Sequence, residues 1–222
     1  MTQIKLCGLS RPEDIDAVIT LRPDFIGFVM WDKSKRNVTE EKAAELKKRL
    51  DDGLKAALSD GSIGAKRIRA VGVFVDEDPQ KVAGLLNRGI IDIAQLHGSE
   101  DEEYVSRLRT LAPGKQIIQA FQIKSKEDVE RALKSDADYL LLDSGTGSGQ
   151  SFNWELIRKA AFKQPFFLAG GLDAENVSDA IKELHPFAVD VSSGIETDGV
   201  KDSAKMKKFV NAVRDTDKYT TV

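Results

Sequence analysis

The sequence predicts one α/β domain built as a compact (β/α)8 barrel, and three observations carry that prediction. Eight short apolar runs recur along the chain at a fairly even pitch. Most are continuous rather than alternating, which suits strands buried on both faces of a parallel sheet. Amphipathic helical stretches separate them in strict alternation, the pattern of a parallel α/β architecture. Such a barrel needs ~200 residues at its lower limit, and this chain has 222. An open doubly wound sheet is the rival architecture, but no G-x-G-x-x-G follows the first strand.

The expected strands are 4–7, 25–30, 70–75, 90–96, 117–121, 139–142, 166–169 and 188–191. Between them, the Lys/Glu-rich stretch 40–55 reads as a helix with a solvated outer face. Pro79 sits in the first turn of the next helix and Gly89 just beyond its end. Ser99 with Glu102, and Ser125 with Asp128, read as capping boxes. Asp173 caps the helix carrying Val177, Ile181 and Leu184, which stops before Pro186. Residues 51–66 contain Gly53, Gly61 and Gly64 and read as an extended, mobile connection to the third strand. The barrel is expected over 1–215, with a polar tail over 216–222 that frays.

Charge narrows the range of partners. With 33 Lys plus Arg against 36 Asp plus Glu, the net charge is −3, which gives no electrostatic reason to expect nucleic acid. No apolar run approaches the ~20 residues of a membrane helix, and the start lacks a signal-peptide pattern. The single cysteine excludes an intramolecular disulfide and a cysteine-based zinc site, and two histidines exclude a histidine-rich metal centre. A cytoplasmic protein acting on a small molecule is expected, with monomer and homodimer both open.

In a barrel the site gathers at the C-terminal strand ends. There the seventh and eighth strands run into Gly170-Gly171 and Ser192-Ser193-Gly194, turns that can present several backbone N–H groups to one anion. Together they favour a phosphorylated ligand. Cys7 ends the first strand, and reads either as a small buried hydrophobe or as a thiolate base. Asp143 leaves an apolar strand at the mouth, where it reads as a proton donor or as a cap on its own glycine-rich loop. Arg36 reads as a surface group or as a bidentate carboxylate clamp, and His97 as a hydrogen-bonded structural group. Asp190 lies on the eighth strand itself.

These landmarks, in order over nearly the whole chain, resemble the phosphoribosylanthranilate isomerase family of tryptophan biosynthesis. The matching stretches are Lys5-Leu6-Cys7-Gly8, residues 25–29, Ser34-Lys35-Arg36-Asn37-Val38, residues 71–75, Gln95-Leu96-His97-Gly98 and Leu142-Asp143. Phe152 and Trp154, Ala169-Gly170-Gly171-Leu172 and residues 189–196 complete the series. The resemblance implies a cofactor-free Amadori rearrangement of N-(5-phosphoribosyl)anthranilate, with no metal. It implies Asp143 as general acid, Cys7 as general base and Arg36 on the anthranilate carboxylate. The turns at Gly170-Gly171 and Ser192-Ser193-Gly194 would cradle the phosphate, with Asp190 near the ribose and His97 among the substrate-binding residues.

The chain departs from the family pattern at Thr146, Asn153 and Lys35, which stand where glycine, aspartate and proline are common. The alternatives are another phosphosugar isomerase or epimerase, and a non-catalytic phosphosugar-binding barrel. An epimerase needs metal ligands that two histidines supply poorly. An indoleglycerol-phosphate synthase needs strand-end lysines, and the end of the first strand holds Cys7 instead.

Overall fold

Strand β1 (Gln3–Cys7) pairs in parallel with both β2 (Phe25–Val29) and β8 (Ala188–Val191), and that double pairing closes the sheet into a barrel. The computed structural model describes residues 1–59, 61, 67–143 and 154–220. Between the two closing strands run β3 (Arg69–Phe74), β4 (Ile93–Leu96), β5 (Gln116–Gln122), β6 (Tyr139–Asp143) and β7 (Phe166–Ala169), each parallel to its neighbours. Successive strands are linked through α1 (Pro12–Leu21), α2 (Glu40–Ser59), α3 (Pro79–Asn87), α4 (Glu102–Leu111), α5 (Lys126–Leu133), α6 (Trp154–Arg158) and α7 (Val177–Leu184). After β8 a short 3₁₀ turn leads into the hairpin β9 (Glu196–Thr197) and β10 (Val200–Lys201), then the last helix, α8 (Ser203–Thr220). The (β/α)8 expectation therefore holds, strand for strand.

Side chains alternate across each strand, so the barrel has two cores. Ile4, Leu6, Ile26 and Phe28 face outward and bury against helix residues such as Ile15, Leu46 and Val82. Phe25, Val71, Ile118, Tyr139, Leu141 and Phe167 fill the interior. Phe167 stands edge-on to Phe25 and Tyr139, with ring centroids 5.0 and 5.6 Å apart. Phe187, just before β8, stacks on Tyr139 at 5.3 Å and plugs the N-terminal end. At that end Arg69, Gln116 and the Tyr139 hydroxyl satisfy one another, Arg69 donating to Gln116 at 3.0 Å and Gln116 to Tyr139 at 3.1 Å, so the polar groups that can meet a ligand lie at the opposite end, where the strands finish.

Several local expectations need correction. Helix α2 runs to Ser59, so residues 51–59 are helix rather than an extended connection. Gly53 is a packing glycine there: a Cβ would lie 2.3 Å from Ile19 Cδ1 on α1, so it lets the helices approach and does not end α2. Residues 60 and 62–66 lie outside the described residues. At the chain end, α8 continues past residue 216 to Thr220 instead of fraying. Thr216 is buried with its hydroxyl 2.7 Å from Ser178 Oγ, and Asp217 accepts from the backbone N and hydroxyl of Thr2 at 2.7 and 2.9 Å. Finally, Asp101 rather than Ser99 caps α4, accepting from Tyr104 N at 2.9 Å, while Ser99 bonds to Asp76.

Other local signals hold. The Ser125–Asp128 capping box opens α5, and Pro79 starts α3 behind an Asp78 cap. Asp173, by contrast, does not cap α7, whose N-cap position is Asn176; it accepts from Glu175 N and Asn176 N at 2.8 and 3.0 Å and so caps the turn just before the helix. Because Phe167 is fully buried between two rings, Phe167→Ala should lower the unfolding free energy by about 3–5 kcal/mol in urea titrations. A loss under 1 kcal/mol would mean that the interior layer does not hold the barrel together.

Candidate active site

Alternation along β1 sets the site. With Ile4 and Leu6 facing the helices, Lys5 and Cys7 point into the barrel, where Lys5 is fully buried and Cys7 only 6% exposed. Lys5 Nζ lies 3.0 Å from Asp190 Oδ1, across the seam where Lys5 and Asp190 are register partners on β1 and β8. Burial opposes the Lys5 charge, but Asp190 and Cys7 outweigh it and raise the ammonium pKa above its ordinary value. Burial also pushes the Cys7 thiol up, with Lys5 and Lys201 pulling it back down without cancelling the shift. Cys7 is thus a protonated thiol at neutral pH, next to a fixed cation.

Arg36 comes from the loop after β2, where its backbone N donates to Ser34 Oγ at 3.1 Å. Its guanidinium donates to Glu196 from Nε at 2.6 Å and from Nη2 at 2.7 Å. Lys201 Nζ donates to the same carboxylate at 2.6 Å, and also to the Ser192 carbonyl and hydroxyl at 2.8 and 3.2 Å. Burial disfavours the Glu196 charge, yet the bonds from Arg36 and Lys201 hold its pKa below the ordinary glutamate value.

His97 follows β4. Its Nδ1 is 2.9 Å from Gln95 Nε2, and its Nε2 is 3.5 Å from Asp143 Oδ2 at the end of β6. Nδ1 is thus engaged by the Gln95 amide, and Nε2 is the ring nitrogen turned toward Asp143. Gln95 Oε1 is buried with no hydrogen-bond partner among the described residues.

The last two strand ends carry the turns. Gly170 and Gly171 have φ of 93° and 65°, a left-handed conformation that glycine adopts without strain. Asn176 Nδ2 donates to the Gly171 carbonyl at 2.8 Å and pins that turn. A Cβ on Gly194 would lie 2.0 Å from the Leu172 carbonyl oxygen, so the loops after β7 and β8 touch backbone to backbone.

These strand ends surround one open cavity of about 410 Å³. Every site residue singled out in the sequence lines it except Gly194, which lies behind the wall against Leu172. Thr146 and Asn153 lie outside the described residues. Sequence reasoning missed Lys5, Gln95, Glu196 and Lys201. The signals were present: a lysine and a glutamine inside doubly buried strands, and an opposite-charge pair flanking an Asp198-Gly199 hairpin turn. Chemically, the cavity offers a thiol and a carboxyl three strands apart around the ring, a guanidinium, and two loops rich in backbone N–H groups. No group of three or more His, Cys, Asp or Glu placed to hold a metal occurs among the described residues, nor does any helix long and apolar enough to cross a membrane.

Known proteins resemble this chain in sequence and in fold. The family model described as N-(5'phosphoribosyl)anthranilate (PRA) isomerase matches residues 4–212. The chain is 42% identical to N-(5'-phosphoribosyl)anthranilate isomerase of Clostridium acetobutylicum, over 96% of this chain and 98% of that one. The crystal structure of phosphoribosyl anthranilate isomerase from Thermotoga maritima superposes with a TM-score of 0.82 at 32% identity, covering 97% of this chain and 100% of that one. A crystal structure of a phosphoribosyl anthranilate isomerase in complex with reduced 1-(o-carboxyphenylamino)-1-deoxyribulose 5-phosphate superposes with a TM-score of 0.78, at 32% identity over 97% of this chain and 100% of that one. With the same barrel, matched from the first strand to the last helix, the chain belongs to the N-(5'-phosphoribosyl)anthranilate isomerase family.

Proposed function

We propose that this cavity catalyses the Amadori rearrangement of N-(5'-phosphoribosyl)anthranilate to 1-(2-carboxyphenylamino)-1-deoxyribulose 5-phosphate. The observation that carries the reading is the facing of Cys7 and Asp143 into one cavity from strands three apart, with Arg36 on its rim. An acid and a base must act on different faces of one sugar, and two separated strand ends meet that demand.

Asp143 gives its proton to the furanose ring oxygen as the C1–O bond breaks, and the anilino nitrogen lone pair forms the iminium. The Cys7 thiolate removes the C2 proton, and the C–H electrons become the C1–C2 double bond of an enolamine. Loss of the enol proton and protonation at C1 then give the C2 ketone. C2 is oxidised as C1 is reduced within one molecule, so the atoms balance without an external oxidant. Lys5 and Lys201 supply the positive field in which the thiolate forms, since both favour the charged sulfur. The turns at Gly170-Gly171 and Ser192-Ser193-Gly194 take the phosphate, and Arg36 takes the anthranilate carboxylate. Asp190, held by Lys5, lines the cavity and faces the ribose as a hydrogen-bond acceptor. Anchoring both ends of the substrate fixes the reacting carbon between acid and base.

The direct test follows the fluorescence of freshly made phosphoribosylanthranilate as it is consumed. Cys7→Ser and Asp143→Asn should each lower kcat by about 10²-fold or more with unchanged unfolding midpoints. Near-wild-type turnover in either variant would remove that residue from its role. Binding of the aminoketose without any conversion of the substrate would favour a non-catalytic phosphosugar-binding barrel.

Two further outcomes are expected. Burial holds the Cys7 thiol above its ordinary pKa, so the reactive thiolate fraction grows as pH rises. Accordingly kcat/KM should increase from neutral into alkaline pH, whereas a flat profile there would exclude a thiolate base. Gly194→Ala forces the two phosphate loops apart at the Leu172 carbonyl and should weaken the binding of phosphorylated product by about tenfold or more in calorimetry.

A further inference from the structure

The Arg36 guanidinium is already occupied along one edge. It has five N–H donors in a rigid plane. Its side edge, Nε and Nη2, is closed by Glu196 at 2.6 and 2.7 Å. Three donors remain, two on Nη1 and one on Nη2, and one from each forms the end edge of the fork. Arg36 lines the cavity and its side chain is 34% exposed, while the Glu196 side chain is only 8% exposed. Glu196 is in turn held from behind. Lys201 faces it across the hairpin as its register partner and donates all three ammonium protons, to Glu196 and to the carbonyl and hydroxyl of Ser192. Burial lowers the Lys201 pKa from its ordinary value, while Glu196 and the Ser192 carbonyl favour the charged ammonium.

We propose that Glu196 and Lys201 are positioning residues that aim the end edge of Arg36 at the substrate carboxylate, making hairpin β9–β10 the carboxylate-specificity element of the site. The inference rests on the isomerase reading above. Without Glu196 the guanidinium can swing about its long side chain, and its pre-set orientation is lost. Without Lys201, Arg36 and Glu196 cancel and the rim no longer carries net positive charge. Two cations sharing one buried carboxylate leave a single positive charge for the incoming anion. Through Ser192 the same lysine ties this clamp to the loop expected at the phosphate, so both substrate ends are set from one hairpin.

The test compares Glu196→Ala with wild type on two substrates, N-(5'-phosphoribosyl)anthranilate and the aniline analogue that lacks the carboxylate. Positioning predicts that KM for the anthranilate substrate rises about tenfold while kcat changes less. The ratio of kcat/KM for anthranilate over aniline substrate should fall by a similar factor. Glu196→Gln keeps the volume and one acceptor, and its ratio should lie between those of wild type and Glu196→Ala, which covers the case that Glu196→Ala does not fold. A lower KM in Glu196→Ala would overturn the proposal, because Glu196 would then compete with substrate for Arg36. Equal losses on both substrates would also overturn it and leave Glu196 a purely structural residue. A wild-type protein inert toward the anthranilate substrate would instead remove the isomerase reading. In that case the same contrast is read from calorimetric binding of the two aminoketose phosphates, with and without the carboxylate.

Discussion

The buried ion pair between Lys5 and Asp190 is the constraint on which the site depends. It joins the first and last strands of the barrel at a position where the two residues are direct register partners. Two charges removed from water are tolerated only with close geometry, and deleting one partner of such a pair typically costs about 3–5 kcal/mol. A slip of one residue along the seam would turn Lys5 and Cys7 toward the helices and Leu6 into the barrel. Closure of the fold and orientation of the thiol therefore obey one electrostatic condition. The same ammonium favours the thiolate that burial opposes, so Cys7 stays protonated in the resting site while its charged form keeps a nearby partner.

The division of the barrel interior follows from that condition. Phe25, Tyr139, Phe167 and Phe187 close the N-terminal half with ring-on-ring contacts. Arg69, Gln116 and the Tyr139 hydroxyl pair among themselves in that half, and the remaining interior polar groups gather at the mouth. Gln95 illustrates this: its amide nitrogen is used by His97, and its oxygen is left unpaired beside the cavity. An unpaired buried acceptor costs about 1–3 kcal/mol, and turning the Gln95 amide so that its oxygen meets the His97 ring or the cavity would recover it.

Much of this was legible in the sequence, for identifiable reasons. Doubly buried strands have to be continuous apolar runs, so β7 and β8 fall on residues 166–169 and 188–191 as expected. Errors arose where one residue type serves two purposes. Gly53 looks like a helix breaker, but it is needed for the contact of α2 with α1 at Ile19. The residues after 215 are polar in composition, yet Thr216 and Asp217 use that polarity to dock α8 on Ser178 and Thr2. Strand ends located Cys7, His97, Asp143 and Asp190, whereas choosing between acid, base and structural roles required the whole ordered pattern of motifs. Glu196 escaped notice because its partner Arg36 lies 160 positions away and meets it only once the chain has closed, whereas Lys201, five positions from Glu196 and nine from Ser192, reads in isolation as an ordinary hairpin charge.

The contact between Gly194 and the Leu172 carbonyl bears on how such a barrel can be altered. Loops at barrel mouths are commonly treated as modules to be exchanged one at a time. Here the loops after β7 and β8 share a backbone interface with no room for a single methyl group. Neither can be lengthened or replaced while the other is kept. The smallest unit that can be transplanted or recombined at this end of the barrel is the pair, and viable sequence change in the two loops has to be correlated.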